Sequence, residues 1–113
     1  MRNRVIVEKS FIKPAKRLTK RYPSFPTDLL SLVNELELNS LIGTSLGGNV
    51  RKVRLAIKSK GKGKSGGARV ITYIYLEAGR VHLLTVYDKS ERDTVSDDEI
   101  TKLVKSLQEA DRG

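Results

Sequence analysis

Apolar positions change their spacing twice along this chain. Phe11, Ala15, Leu18 and Tyr22 recur at i, i+4, i+7 and i+11, which is the single stripe of an amphipathic helix over Ser10–Tyr22. Pro14 fits only the first turn of such a helix, so the start of this one is left open. Pro23 and Pro26 interrupt the chain. A second helix, Thr27–Leu38, then puts Leu29, Leu32, Val33 and Leu36 on one face. Ahead of both, Arg4–Glu8 reads as a short strand. The polar, glycine-containing stretch Asn39–Asn49 reads as a loop.

From there the spacing drops to two. Val53, Leu55 and Ile57 alternate with Lys52, Arg54 and Ala56, giving a strand with one apolar face and one largely cationic face. Lys58–Gly67 is a run of lysines, glycines and serines that cannot pack a core. Ala68–Leu76 is a β-branched, tyrosine-rich strand, and Glu77-Ala-Gly-Arg80 turns it into another, Val81–Tyr87. Ser96-Asp-Asp-Glu99 is a capping-box sequence. It opens a last helix with Ile100, Leu103, Val104 and Leu107 inward. The order β-α-α-β-β-β-α predicts an α+β fold: a mostly antiparallel sheet with its helices packed on one face. The other face, with Lys52 and Arg54, is then left for a ligand. No repeat or long linker divides the chain, so residues 1–113 are expected to form one domain.

Charge sharpens this picture. The 113 residues carry a net charge of +9, and it is unevenly spread. Residues 1–22 hold eight Lys/Arg and one acid, whereas residues 39–76 hold eight Lys/Arg and no acid. Residues 77–113 hold nine acids against six bases. An acid-free stretch of that length marks a positive surface, for which a polyanion is the matching partner. With no cysteine and one histidine, neither a disulfide nor a metal site is expected, and no cofactor is called for. Val5–Val7 is too short an apolar run for a signal peptide, and no later run could span a bilayer. A cytoplasmic protein without membrane contact is the expectation.

Three segments carry candidate chemistry. Gly63-Lys64-Ser65 resembles the end of a phosphate-binding P-loop, but Lys58 stands where the first glycine belongs and a strand follows instead of a helix, which excludes nucleotide hydrolysis. The loop is better read as a flexible cationic hairpin whose Lys58, Lys60, Lys62 and Lys64 act as point charges for phosphates. Lys52 and Arg54 share a strand face, and Arg69 opens the next strand within reach of it. Cations gathered in this way suit a pentavalent phosphoryl transition state. After the last strand, Lys89 adds a cation and Glu91 a proton acceptor. His82, inside an apolar strand, reads as structural.

Gly48-Asn-Val-Arg-Lys-Val-Arg-Leu55, Lys64-Ser-Gly-Gly-Ala-Arg-Val-Ile71 and Leu84-Thr-Val-Tyr-Asp-Lys-Ser-Glu91, taken in this order, resemble the RelE/ParE toxin superfamily over nearly the whole chain. The resemblance is nearest to the RelE/HigB-type toxins of type II toxin–antitoxin modules. It implies helices against a curved antiparallel sheet, and a ribosome-dependent mRNA interferase. In that chemistry the 2′-hydroxyl attacks the adjacent phosphate without a metal and leaves a 2′,3′-cyclic phosphate. Lys52, Arg54 and Arg69 match the family's cationic positions, and Lys89 and Glu91 complete the candidate catalytic set. The chain departs from the pattern at Ser90 and Ser96, where the family has an arginine and a tyrosine. Lys89 is the candidate to replace that cation, and Tyr73, Tyr75 or Tyr87 to supply the stacking ring. The implied partners are a cognate antitoxin and mRNA on the ribosome with 16S rRNA contacts, with operator DNA reached only through the antitoxin complex. The alternative implied by the same superfamily is a ParE-like toxin that inhibits DNA gyrase by binding.

Overall fold

A five-stranded mixed sheet with helices on both faces organises the described residues. The computed structural model describes residues 2–61, 66–92 and 94–112, with only the helical backbone for residues 108–112. The strands are β1 (Arg4–Val7), β2 (Thr44–Gly47), β3 (Val50–Leu55), β4 (Ala68–Tyr75) and β5 (Arg80–Asp88). The long helices are α1 (Lys9–Arg21), α2 (Phe25–Leu38) and α3 (Asp97–Arg112). Across the sheet the order is β1-β5-β4-β3-β2. Among the described residues no helix is long and apolar enough to cross a membrane.

The α+β class and the order of the predicted elements hold, and three details of the expected architecture are corrected. The sheet is mixed, because β1 lies parallel to β5 at one edge, with Arg4 opposite Arg80 and Val7 opposite Leu83. A parallel neighbour needs a crossover, and the whole chain between β1 and β5 supplies it. A further strand, β2, lies inside the stretch read as a loop. It pairs antiparallel with β3 through Thr44–Lys52 and Ser45–Arg51. All four of its residues are exposed, so no alternation of burial could mark it. Gly47 and Gly48, both at positive φ, make the tight return into β3.

The third correction concerns the helices, which do not all share one face. Phe11 and Leu18 of α1 and Phe25, Leu32 and Leu36 of α2 pack on Val53, Leu55, Val70, Val81 and Leu83. On the opposite face, Ile100, Leu103, Val104 and Leu107 of α3 pack over Val50, Ile71, Leu84 and Tyr87. The cause is legible in β4 and β5, which carry apolar residues on both of their faces. Strands of that kind must be covered twice. Only the β3 side of the second face, with Lys52 and Arg54, keeps its cationic character.

Helix boundaries follow local chemistry. α2 starts at Phe25, with Pro26 in its first turn, where the missing N–H is no loss. Pro14, by contrast, sits in the second turn of α1, which leaves the Ser10 carbonyl without its helical donor. Separately, the Ser10 hydroxyl ties this turn to the sheet by donating to the Leu84 carbonyl at 2.5 Å. Leu84 is the extra residue of a bulge in β5, since Ile71 faces Thr85 while Thr72 faces Leu83. The end of α3 that begins with Asp97 is capped as its sequence requires, with the Glu99 N–H donating to Ser96 Oγ at 3.2 Å.

Gly67, just before β4, has no room for a side chain, because a Cβ there would lie 2.1 Å from the Leu55 carbonyl oxygen. Its own carbonyl accepts the Lys89 N–H at 3.1 Å. Backbone on both sides leaves nothing able to yield. Gly67→Ala is therefore expected to lower the unfolding free energy by about 1–3 kcal/mol, read as a fall in the urea midpoint.

Candidate active site

Strand register brings the predicted cations into line. On β3 the alternation sends Val53 and Leu55 into the α1–α2 core, so Lys52 and Arg54 point from the other face. Arg54 stands directly opposite Arg69 on β4, and Arg69 directly opposite Tyr87 on β5. Lys52 lies one step along, opposite Ile71. The structure thus assembles Arg54, Arg69 and Tyr87 in one row, with Lys52 in the next.

The members of this row differ in environment. Arg54 is exposed and Lys52 half-buried. Among the described residues neither has an ion-pair partner. Arg69 is 5% exposed, and its Nη1 donates to the Ala68 carbonyl at 3.1 Å. Strand pairing therefore sets these two arginines opposite one another on one sheet face, and Arg69 has further contacts of its own. Tyr87 is 6% exposed and lies under α3 with Val95, with the Arg92 guanidinium 5.4 Å from its ring centre. Its ring is thus largely covered.

The cationic loop is not free along its length. Its first part is a 3₁₀ turn, Lys58–Lys60, stapled to α2. The Lys58 N–H donates to Asp28 Oδ2 at 3.0 Å and the Ser59 N–H to Ser24 Oγ at 2.8 Å. The Lys58 side chain is exposed, as a phosphate contact requires. Lys60 is not: its ammonium donates to Asp88 Oδ1 at 2.5 Å and to Ser90 Oγ at 3.2 Å, with the side chain 8% exposed. Lys60 is an internal anchor, which corrects its reading as a mobile charge. Lys62 and Lys64 lie outside the described residues.

Asp88 is the centre of that anchor. Tyr22 OH donates to its Oδ2 at 2.6 Å, and the Ser90 N–H and hydroxyl donate to Oδ1 at 2.9 and 2.7 Å. Arg21 stands 3.6 Å away. Burial alone would push this carboxyl up, but the hydrogen bonds from Lys60, Tyr22 and Ser90 outweigh it and hold the group well below the usual carboxylate range.

Glu91 is not brought to the cationic row. It pairs with Arg17 at 2.9 Å and with Arg21, on the α1 side of the molecule. Together with Thr85, Tyr87 and Arg92 these residues line a cleft of about 200 Å³. Lys89 is half-buried, next along from Asp88, and its N–H extends the strand ladder to Gly67. Arg17, Arg21 and Arg92 were passed over by the sequence analysis. Nothing local marks Arg17 and Arg21, because their contacts with Glu91 span 74 and 70 positions, while Arg92 joins the cleft over the Tyr87 ring.

A family model for the RelE toxin of the RelE / RelB toxin-antitoxin system matches residues 3–111. Among solved structures, that of an E. coli toxin RelE mutant in the free state, with two arginines changed to alanine, is similar with a TM-score of 0.62. Sequence identity is 14%, and the match covers 95% of this chain and 99% of that chain. At this identity the likeness is one of fold.

The buried anchor gives a direct test. Asp88→Ala leaves the Lys60 ammonium buried without its partner, and is expected to cost about 3–5 kcal/mol at neutral pH. The folded carboxyl titrates below its unfolded value, so its contribution is fully present above about pH 4 and is lost as pH falls further. Urea midpoints measured down to about pH 2.5 should show this acid-side fall in the natural protein. Asp88→Asn should lack the part due to this group.

Proposed function

This chain belongs to the RelE toxin family of toxin–antitoxin systems, and from that premise we propose that it is a ribosome-dependent mRNA endoribonuclease that arrests translation. An antitoxin partner is implied by the family itself. The observation that carries the catalytic reading is the row of Arg54 and Arg69 beside Lys52, cations that strand pairing gathers on one sheet face.

In the proposed reaction a ribose 2′-hydroxyl of bound mRNA attacks the adjacent phosphorus. The P–O5′ bond breaks, leaving a 2′,3′-cyclic phosphate on one fragment and a 5′-hydroxyl on the other. Negative charge accumulates on the phosphoryl oxygens as the pentavalent state forms. Arg54, exposed and planar, is suited to hold two of those oxygens, and Arg69 behind it adds a fixed positive charge. Lys52, one row along, neutralises the neighbouring phosphate, and Lys58 continues the cationic track at the mouth of the loop. Two groups are candidates for the proton of the attacking hydroxyl: Lys52, on the face of the row, and Glu91, which reaches that face only by leaving Arg17 and Arg21. The reaction needs no group beyond the chain and its RNA. The setting is cytoplasmic, where the ribosome is.

The test is induction of the protein in a bacterial host with mapping of mRNA 5′ ends. Cleavage within translated codons, bearing 5′-hydroxyl ends, is the expected result. Arg54→Ala should reduce it by about 10²–10³-fold with an unchanged thermal transition, since Arg54 is exposed and packs in no core. Growth arrest with intact messages would overturn the reading, and DNA damage induction beside it would favour gyrase inhibition instead.

A further inference from the structure

β5 outruns its neighbour β1. The two strands pair only as far as Leu83, whereas β5 continues to Asp88. Past the end of β1, α1 stands beside β5, and the cleft of about 200 Å³ opens between them. Buried Leu18, Val86 and Tyr87 form its floor, and the exposed side chains of Arg17, Arg21 and Arg92 form its rim.

Arg17 and Arg21 stand one helical turn apart on α1, so both reach the same side of it. Between them lies the Glu91 carboxylate, with Oε2 accepting from Arg17 Nη2 at 2.9 Å and Oε1 accepting from Arg21 Nη1. Glu91 thus gives each guanidinium one oxygen. A guanidinium is a planar fork of five N–H donors that can take two. Charge is mismatched in the same sense. Two cations share this one carboxylate, while Asp88, 3.6 Å from Arg21, is held by Lys60, and Arg92 is paired with Glu99. The arginine side chains are 72% and 52% exposed, and ion pairs so open to water are weak and exchange readily.

We propose that the Arg17–Arg21 clamp is a binding site for a phosphate dianion, as in a free phosphomonoester or diphosphate, and that Glu91 is its exchangeable resident. A terminal phosphate carries close to two negative charges at neutral pH and three acceptor oxygens. It therefore matches both guanidiniums and fills their forks, where a carboxylate half fills each. An internal phosphodiester of a nucleic acid carries one charge and leaves the mismatch that Glu91 leaves. Size limits the ligand further. Pockets that enclose a whole small molecule measure about 300–1,000 Å³, so this cleft takes the phosphate group and leaves the attached body outside, beside Arg92. The exchange needs only a side-chain movement, because the Glu91 N–H is held separately by the Asp88 carbonyl at 3.0 Å. On the function proposed above, and resting on it, the same exchange frees Glu91 as a candidate proton acceptor and makes the dianion an effector of the nuclease.

The experiment is calorimetric titration of the protein with pyrophosphate at about 0.15 M salt. One saturable site is expected, with a thermal transition that rises with pyrophosphate concentration. Glu91→Gln removes the resident charge and should tighten binding by roughly tenfold. The clamp variant R17Q/R21Q should weaken it by at least about 30-fold. All three side chains are exposed, and the transition without ligand checks that the fold is kept. If the double variant unfolds, Glu91→Gln alone decides. K52Q/R54Q, on the sheet row, should bind pyrophosphate as the natural protein does. No saturable binding would overturn the proposal, and so would an unchanged affinity in Glu91→Gln. Binding lost in K52Q/R54Q but kept in the clamp variant would assign the anion to the sheet row, which overturns it as well. Glutarate bound as tightly as pyrophosphate would give the clamp to carboxylates, with the same consequence. A protein that binds pyrophosphate through the clamp but cuts no message leaves the site standing and removes the proposed nuclease. One that cuts messages but binds no pyrophosphate does the reverse.

Discussion

The Asp88 carboxylate fixes how the rest of this molecule comes together. It sits at the last residue of β5, opposite Ala68 at the first residue of β4. There it receives Lys60 from the loop after β3, Tyr22 from the end of α1 and Ser90 from the turn that follows. A buried ion pair rarely gains much over an apolar pair of the same shape, since desolvation offsets the attraction. What this one gains is position. Its two oxygens accept from donors in three segments, Tyr22, Lys60 and Ser90, and a shift of any of these weakens the satisfaction of a buried charge. The row Arg54–Arg69–Tyr87 lies one residue along from this knot, so its register is set by the same contacts.

Charge in this chain is sorted by these contacts as much as by composition. Acids are in deficit, and three of them are committed to particular cations. Asp88 takes Lys60, Glu91 takes Arg17 and Arg21, and Glu99 takes Arg92 at 2.7 Å. The described cations outside these pairs include Lys52 and Arg54 on the sheet. A uniform excess of positive charge would say only that the protein resists aggregation and attracts polyanions. Its concentration on one rigid sheet face is what supports a reading as an RNA-directed toxin.

How much of this was legible in the sequence depends on the range of each interaction. Local rules succeeded: the capping box at Ser96, the stripe of α1, and the shared face of Lys52 and Arg54 all follow from spacings of two to four residues. The cross-strand meeting of Arg54 and Arg69 was approached correctly from the acid-free stretch, because the two strands are consecutive. Sequence pattern carries no signal where partners are distant. Lys60 looked like a free loop lysine because Asp88 is 28 residues away, and Glu91 looked available because Arg17 is 74 residues away. β2 was lost for a different reason, being an edge strand exposed on all its residues. The face chosen by α3 was in fact written in the two-sided apolar character of β4 and β5, which had been read as strand propensity without asking what would cover the second side.

The opposed positions of Arg54 and Arg69 bear on how such a fold prepares the proposed chemistry. Backbone pairing sets the two residues opposite one another during folding, before any substrate arrives. On the proposed reading, a phosphate entering the row meets cations whose positions the sheet has already set. In the proposed reaction, the charge added as the 2′-oxygen closes on phosphorus falls on the phosphoryl oxygens that Arg54 is suited to hold, so attraction strengthens along the reaction coordinate and does not merely tighten the ground state. The proton acceptor faces a different constraint. Glu91 is held by two arginines across the cleft, and using it would require breaking both contacts. Lys52 already shares the face on which the phosphate would sit. On the proposed reading the stabilisation of charge belongs to the sheet, and the Arg17 and Arg21 contacts of Glu91 favour Lys52 on the sheet as the proton acceptor as well.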